Sequence, residues 1–182
     1  AETIIITRSN KRAVMFNQGI RARVLYMEAE ITTGDMLLVA KNNYFWAADY
    51  DGIDFIANGD VAVVKRISEV TEEYGFRFAD VTLEFPDYNH AEIDAKIILD
   101  ALYAESPALS REQNNNLYLR VMDDYAHITR KSEKYKRLKQ DPFFNALQVK
   151  FAYSVTCHKA QGGQWRNVFV DMGYISEEAF SN

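Results

Sequence analysis

Ser154-Val-Thr-Cys-His-Lys-Ala-Gln-Gly-Gly-Gln-Trp165 ends the apolar run Phe151–Thr156 and follows it at once with imidazole, ammonium, carboxamide and two glycines. Open α/β sheets present their ligands at this kind of place, where a parallel strand gives out at its carboxyl end. A second short apolar run, Val168–Asp171, lies just beyond the turn. At the far end of the chain, Thr3-Ile-Ile-Ile-Thr7 is a continuous β-branched run, the pattern of a strand covered on both faces. Ser9 or Asn10 can cap a following helix, with Ala13, Phe16, Ile20 and Val24 recurring at helical spacing as its apolar face. Both chain ends therefore predict strands and a helix of one α/β sheet.

The middle of the chain has a different period. Met36–Ala40, Val61–Val64 and Phe76–Phe85 read as strands separated by turn signals such as Asn58-Gly59-Asp60, which predicts a small antiparallel barrel. Asn-Gly is the preferred pair of a type I′ hairpin, so Asn58-Gly59-Asp60 is read as structural. From about Ala91 to Lys139 the pattern is read as helical. Ile93, Ile97, Ile98 and Leu102 line one face, Ser110 with Gln113 forms a capping box, and Pro107 and Pro142 punctuate. The expected organisation is an α/β domain from residues 1–25 and 146–182, with a β-barrel and helical module, 26–145, inserted between them.

Composition limits the function classes. The 182 residues are 48% hydrophobic and 13% aromatic with a net charge of −5, values of a globular chain and not of an indiscriminate polyanion binder. One cysteine, Cys157, and three scattered histidines, His90, His127 and His158, provide no disulfide framework and no zinc-ligand spacing, so no metal site is expected. No apolar run approaches the ~18 residues of a membrane span and no signal sequence is seen. The chain reads as soluble and cytoplasmic, with no membrane partner.

In the polar turn, the Thr156 hydroxyl, the His158 imidazole and the Lys159 ammonium are donors that suit phosphate oxygens. The same string also reads as a tight turn whose side chains face water. On a continuing strand Cys157 and His158 would point to opposite faces, which removes a nucleophilic dyad and leaves Cys157 as a small core residue. The sequence contains no G-x-x-x-x-G-K-[ST], so no nucleoside triphosphate is cradled on a P-loop of its own.

Thr156-x-His158-Lys159-x-Gln161-Gly162 resembles motif V of superfamily 1 DNA helicases of the RecD-like and UvrD-like branch. Thr7-Arg-Ser-Asn-Lys-Arg12, with the helix through Asn17 and Arg21, is similar to the strand-helix unit that opens their second RecA-like domain. Lys41-Asn-Asn-Tyr44 and Phe55-Ile-Ala-Asn-Gly-Asp60 resemble the R-N-D-Y and F-N-G-D pair of their SH3-like insertion. The three signatures fall in the family's order across nearly the whole chain.

The resemblance implies a partial RecA-like, P-loop-NTPase-type sheet with an inserted SH3-like barrel plus helices. It implies a piece lying between motifs IV and VI of an ATP-dependent helicase, with ATP and Mg2+ bound by the full-length parent and none by the piece. Its implied partners are single-stranded DNA and the N-terminal RecA-like domain of the parent, with 5′ to 3′ movement by analogy. Thr156 and His158 are then the backbone contacts, Lys159 and Gln161 their support, and Gly162, Gly163 and Gln164 the nucleotide interface. Gln164 stands where many relatives carry Glu. Lys41, Asn42, Asn43 and Tyr44 form a second DNA contact, for which an ordinary strand-to-loop transition is the alternative. No catalytic residue is expected within the piece. The basic run Arg130–Lys139 is read as a solvated helix face, and Tyr44, Phe45, Trp46 and Tyr50 as stacking groups or barrel core. The competing function is a non-catalytic nucleic-acid- or protein-binding module on a helicase-like scaffold.

Overall fold

The computed structural model describes residues 3–50 and 52–173, and the chain divides into two compact units, Ala1–Glu28 with Ala152–Asn182 and the intervening Ala29–Phe151. Residues 174–182, assigned above to the α/β domain, lie outside the described residues.

In the first unit, β1 (Thr3–Thr7) is the centre of a three-stranded parallel sheet, with β7 (Ser154–Thr156) on one side and β8 (Asn167–Asp171) on the other. The buried Ile4 and Thr7 of β1 reflect that central place. Ser9 caps α1 (Asn10–Arg23) by accepting from the Arg12 backbone N–H. The expected apolar face of this helix is only partly used. Ala13 is buried, but Phe16 and Ile20 are half-buried and Val24 is 64% exposed. The inward face is instead Ala13, Asn17 and Arg21, at i, i+4, i+8. It is polar because Asn17 serves a backbone: its Nδ2 donates to Ser154 O (2.9 Å) and its Oδ1 accepts from Ser154 N (2.7 Å). That pair ties the first residue of β7 to the helix.

The second unit is a closed barrel in the order β2 (Met36–Val39), β3 (Val61–Glu73), β4 (Phe76–Phe85), β5 (Ala91–Ile98), β6 (Leu147–Phe151). Neighbours are antiparallel except β5 with β6, which is parallel and closes the ring with β2. Leu37, Val39, Val64, Leu83, Ile93, Ile97 and Val149 fill its interior.

Two expectations are overturned here. Residues 91–98 are a strand and not helix, because Ile93, Ala95 and Ile97 point inward while Glu92 and Asp94 point outward. An i, i+4 isoleucine pair satisfies both periods, and the charged residues between them follow only the period of two. Leu147–Phe151 belongs to the barrel and not to the α/β unit, so the boundary falls at 151/152 instead of 145/146.

β3 runs nine residues past the expected Val64, through two register shifts, into a hairpin with β4. Tyr74 and Gly75, at φ 56 and 74, close it. Two positive φ values fit a type I′ turn, where tyrosine is unusual. Tyr74 is held there by an edge contact with Phe143 (5.4 Å between centroids) and by donating its hydroxyl to Asp124. The Asn58-Gly59 turn is of a different kind: only Gly59 has positive φ (109), and Asp60 N closes on Ala57 O at 3.1 Å. It leads into β3 without joining a two-residue hairpin.

Beside the barrel stand α2 (Asp100–Tyr103), α3 (Arg111–Asp124) and α4 (Lys131–Lys139). The Ser110–Gln113 capping box at the start of α3 is present in both directions. Phe76 and Phe78 of the hairpin pack with Ile98, Leu117, Val121 and Leu138 into a core of their own. Lys96, almost fully buried, donates to both Asp80 oxygens (2.7 and 2.9 Å) and lies 4.5 Å over the Phe143 ring.

Lys150 on β6 donates to Ala104 O at 2.5 Å, and burial lowers its pKa to about 8 from the usual 10.5. Below pH 8 the ammonium is charged in the folded and unfolded states alike, and its desolvation weakens the fold. Between about 8 and 10.5 the unfolded chain holds more protons, so this group's contribution rises with pH and then levels off. Denaturant unfolding of wild type and Lys150→Met at pH 7.5 and 10 is therefore expected to show wild type gaining relative to the variant at the higher pH.

Candidate nucleic-acid interface

The parallel registers set Thr156 and Asp171 on either side of Thr7, so the carboxyl ends of the three strands form one row. α1 leaves this edge after β1, and the single-turn α5 (Cys157–Ala160) leaves it after β7. Arg12 of α1 holds Asp171 through two of its guanidinium nitrogens, Nε donating to Oδ2 and Nη2 donating to Oδ1 at 2.7 Å. That bond keeps the Asp171 carboxyl below its ordinary range. In the sequence Arg12 belongs to the Thr7–Arg12 signature and Asp171 ends an apolar run. Their pairing is a contact over 159 positions that no local signal announces.

The motif residues spread along the turn after β7. Thr156 is half-buried at the N-cap of α5 with its side chain making no capping bond, and His158 is exposed. Neither side chain has a hydrogen-bond partner among the described residues, so both donors are available at the strand-end edge. Lys159 is half-buried, and desolvation lowers its pKa. Gln161, Gly162, Gly163 and Gln164 are exposed, with Gly162 at φ 82, a conformation that favours glycine. Gly163 has a duty of its own: a Cβ there would collide with the Trp165 indole, which lies against its backbone.

Cys157 departs from expectation. It is exposed and stands on the helical turn, because the strand stops at Thr156, with its Sγ 3.5 Å from Thr7 O. The opposite-face argument for separating it from His158 therefore does not apply. Consecutive helical side chains also diverge, by about 100°, which keeps the two apart.

Lys41, Asn42, Asn43 and Tyr44 belong to the other unit, where they line a groove of about 2060 Å³. Three segments distant in sequence meet there, with Asp94 of β5 beside them: the loop 41–50, α3, and residues 139–148. Carboxamides lock them together. Asn43 Nδ2 and Trp46 Nε1 both donate to Asn145 O at 2.8 Å, while Asn43 Oδ1 accepts from the backbone N–H groups of Phe45 and Trp46. Asn145 Nδ2 donates to Lys139 O and Asp141 O. Gln148 joins α3 by donating to Asn114 Oδ1 at 2.8 Å and accepting from Leu109 N at 3.0 Å. Asn43 thus builds the loop with both ends of its side chain. Among the described residues Asn42 uses only its oxygen, on Asn58 N.

The aromatic cluster divides in the same way. Ala47 beside it is core, Trp46 is half-buried and hydrogen-bonded, and Tyr44 is 64% exposed with one ring face stacked on Phe55 at 5.0 Å.

Residues 151–181 match the model of the UvrD-like helicase C-terminal domain. The matched segment contains β7, the polar turn and β8, and over those residues the chain is similar to that domain. No curated protein matches the chain.

Proposed function

We propose that this chain is part of an ATP-dependent DNA helicase or translocase of the RecD-like branch, within whose second RecA-like domain it supplies single-stranded DNA contacts and part of the ATP-site interface. The observation that carries the reading is the coincidence of the helicase-family match at 151–181 with a strand-end turn on which Thr156 and His158 keep unengaged donors. Donors fixed at the carboxyl edge of a parallel sheet suit the phosphates of a strand. Lys159 and Gln161 support them, and Gly162, Gly163 and Gln164 face the nucleotide. Lys41, Asn42 and Tyr44 bind the strand from the SH3-like barrel, with Asn43 shaping their loop. The work is done in the cytoplasm, together with the N-terminal RecA-like domain of the parent.

ATP and Mg2+ are assigned to the parent. Among the described residues no three His, Cys, Asp or Glu side chains gather as a metal site, and the sequence has no phosphate-binding P-loop. The residues present do not fit a magnesium ion or a triphosphate cradle, so no step of hydrolysis is routed through them. The pure 182-residue chain is accordingly expected to show no ATP turnover, with or without single-stranded DNA, because phosphoryl transfer depends on the P-loop lysine and magnesium ligands. A longer protein containing it is expected to hydrolyse ATP in a DNA-stimulated manner. A phosphate-release assay on both checks this: turnover by the isolated chain contradicts the reading, and an inactive longer protein that still binds DNA replaces it with the non-catalytic module.

A further inference from the structure

The basic run Arg130–Lys139 is not a single face. Lys139, at the end of α4, lines the groove between the 41–50 loop and α3, whereas Lys131, Lys134 and Lys136 do not. Arg111, the first residue of α3, lines it too, and Lys41 stands on the loop. All three cations are exposed, and none forms an ion pair among the described residues. Among the described residues, the one cation of α4 in an ion pair is Arg137, with Glu133.

Once the carboxamides that hold the groove together are set aside, the groups left to a ligand are of three kinds. The cations Lys41, Arg111 and Lys139 suit phosphates. The open face of Tyr44 is a stacking platform already backed by Phe55. The carboxamides Asn115 and Gln140, with the carboxylates Asp49, Asp94 and Glu112, offer both donors and acceptors, and Asp94 is shared with Arg66 and Thr82. Carboxylates repel a phosphate track but accept from the amino groups of bases. A surface that mixes all three suits a strand whose base edges are open, and not a duplex, whose base-pairing edges are closed.

We infer that this groove is a second binding track for an extended single strand of nucleic acid, with Arg111 and Lys139 holding phosphates, Tyr44 stacking a base, and Asn115 and Gln140 meeting base edges. The inference rests on the helicase reading above and adds the helical module to its DNA-contacting surface. The carboxamide network fixes the three segments before any ligand arrives, so binding requires little ordering of the protein.

Fluorescence anisotropy of the 182-residue chain with a labelled 15-nucleotide single strand of mixed sequence, repeated across salt concentrations, tests the track. Each neutralised phosphate adds about 0.7 to the slope of log affinity against log salt, so Arg111→Ala with Lys139→Ala is expected to flatten it by about 1.4 and to weaken binding about tenfold at low salt. Lys134→Ala, on the same helix but outside the groove, is expected to leave both near wild type. Photocrosslinking with an iodouridine-substituted strand is expected to label Tyr44. If the double variant binds like wild type, crosslinks map only to 151–165 and Thr156→Ala/His158→Ala weakens binding, the groove inference fails and the helicase reading stands. If duplex binds as tightly as single strand, or if hydrogen exchange shows the groove protected by a protein and not by the oligonucleotide, the inference fails. Absence of any binding at low salt overturns the groove inference and assigns the inserted module to a protein partner, while the ATPase of the longer protein still decides the helicase reading.

Discussion

Replacing Thr156 and His158 together by alanine, in a longer protein that contains this chain and hydrolyses ATP on DNA, is expected to abolish DNA-stimulated hydrolysis and strand separation while leaving the fold intact. A hydrogen bond to a charged group contributes about 1.5–3 kcal/mol, so losing two from a strand's phosphates lowers the coupling by roughly a hundredfold to ten-thousandfold. The fold is spared because Thr156 makes no capping bond and His158 is exposed without a partner among the described residues. Steady-state ATPase with and without single-stranded DNA, a fluorescent unwinding assay and a melting curve together check it. Normal unwinding by a well-folded double variant returns the turn to a solvated loop. A lowered melting temperature would instead show that the side chains act in stability.

Asn17→Ala is expected to be the most destabilising single substitution in the α/β unit. It removes both partners of the Ser154 backbone, whose N–H and C=O lie beside a residue only 1% exposed, under a helix face where Asn17 itself is 4% exposed. Each buried backbone group left without a partner costs about 1–3 kcal/mol, so the loss is about 2–6 kcal/mol, or roughly 4–20 °C in melting temperature. Ser154→Ala is the control. The Ser154 hydroxyl is buried without a hydrogen-bond partner among the described residues, so its removal leaves the melting temperature near wild type or raises it. Differential scanning calorimetry separates the outcomes. If Asn17→Ala melts like wild type, α1 does not fix β7. Thr156 is two residues from the clamped Ser154, so the same substitution loosens the turn and weakens any strand binding that runs through it.

Features governed by near neighbours could be read from the sequence. Ser9 at the start of α1, the reciprocal Ser110–Gln113 box, the β-branched run Thr3–Thr7 and the strand Phe76–Phe85 each depend on residues a few positions apart. So did the polar turn, whose Thr156, His158 and Gly162 stand together because they are adjacent in the chain. Where two periods agree over a short window, the local signal failed: Ile93 and Ile97 fit a helix as well as a strand, and pairing with β4 and β6 decided for the strand.

Tertiary structure alone decided the rest. Barrel closure joins Leu37 to Phe151, Asn17 clamps Ser154 across 137 positions, and Asn43 reaches Asn145 across 102. A carboxamide in sequence carries no sign of whether it will meet a ligand or a backbone, because its two donors and two lone pairs serve either equally well. Packing brought Asn43 to a carbonyl and left Asn115 facing open space in the groove. It likewise separated Lys139 from the other lysines of α4, since which part of a helix abuts a groove depends on how the helix docks on its neighbours and not on its own composition.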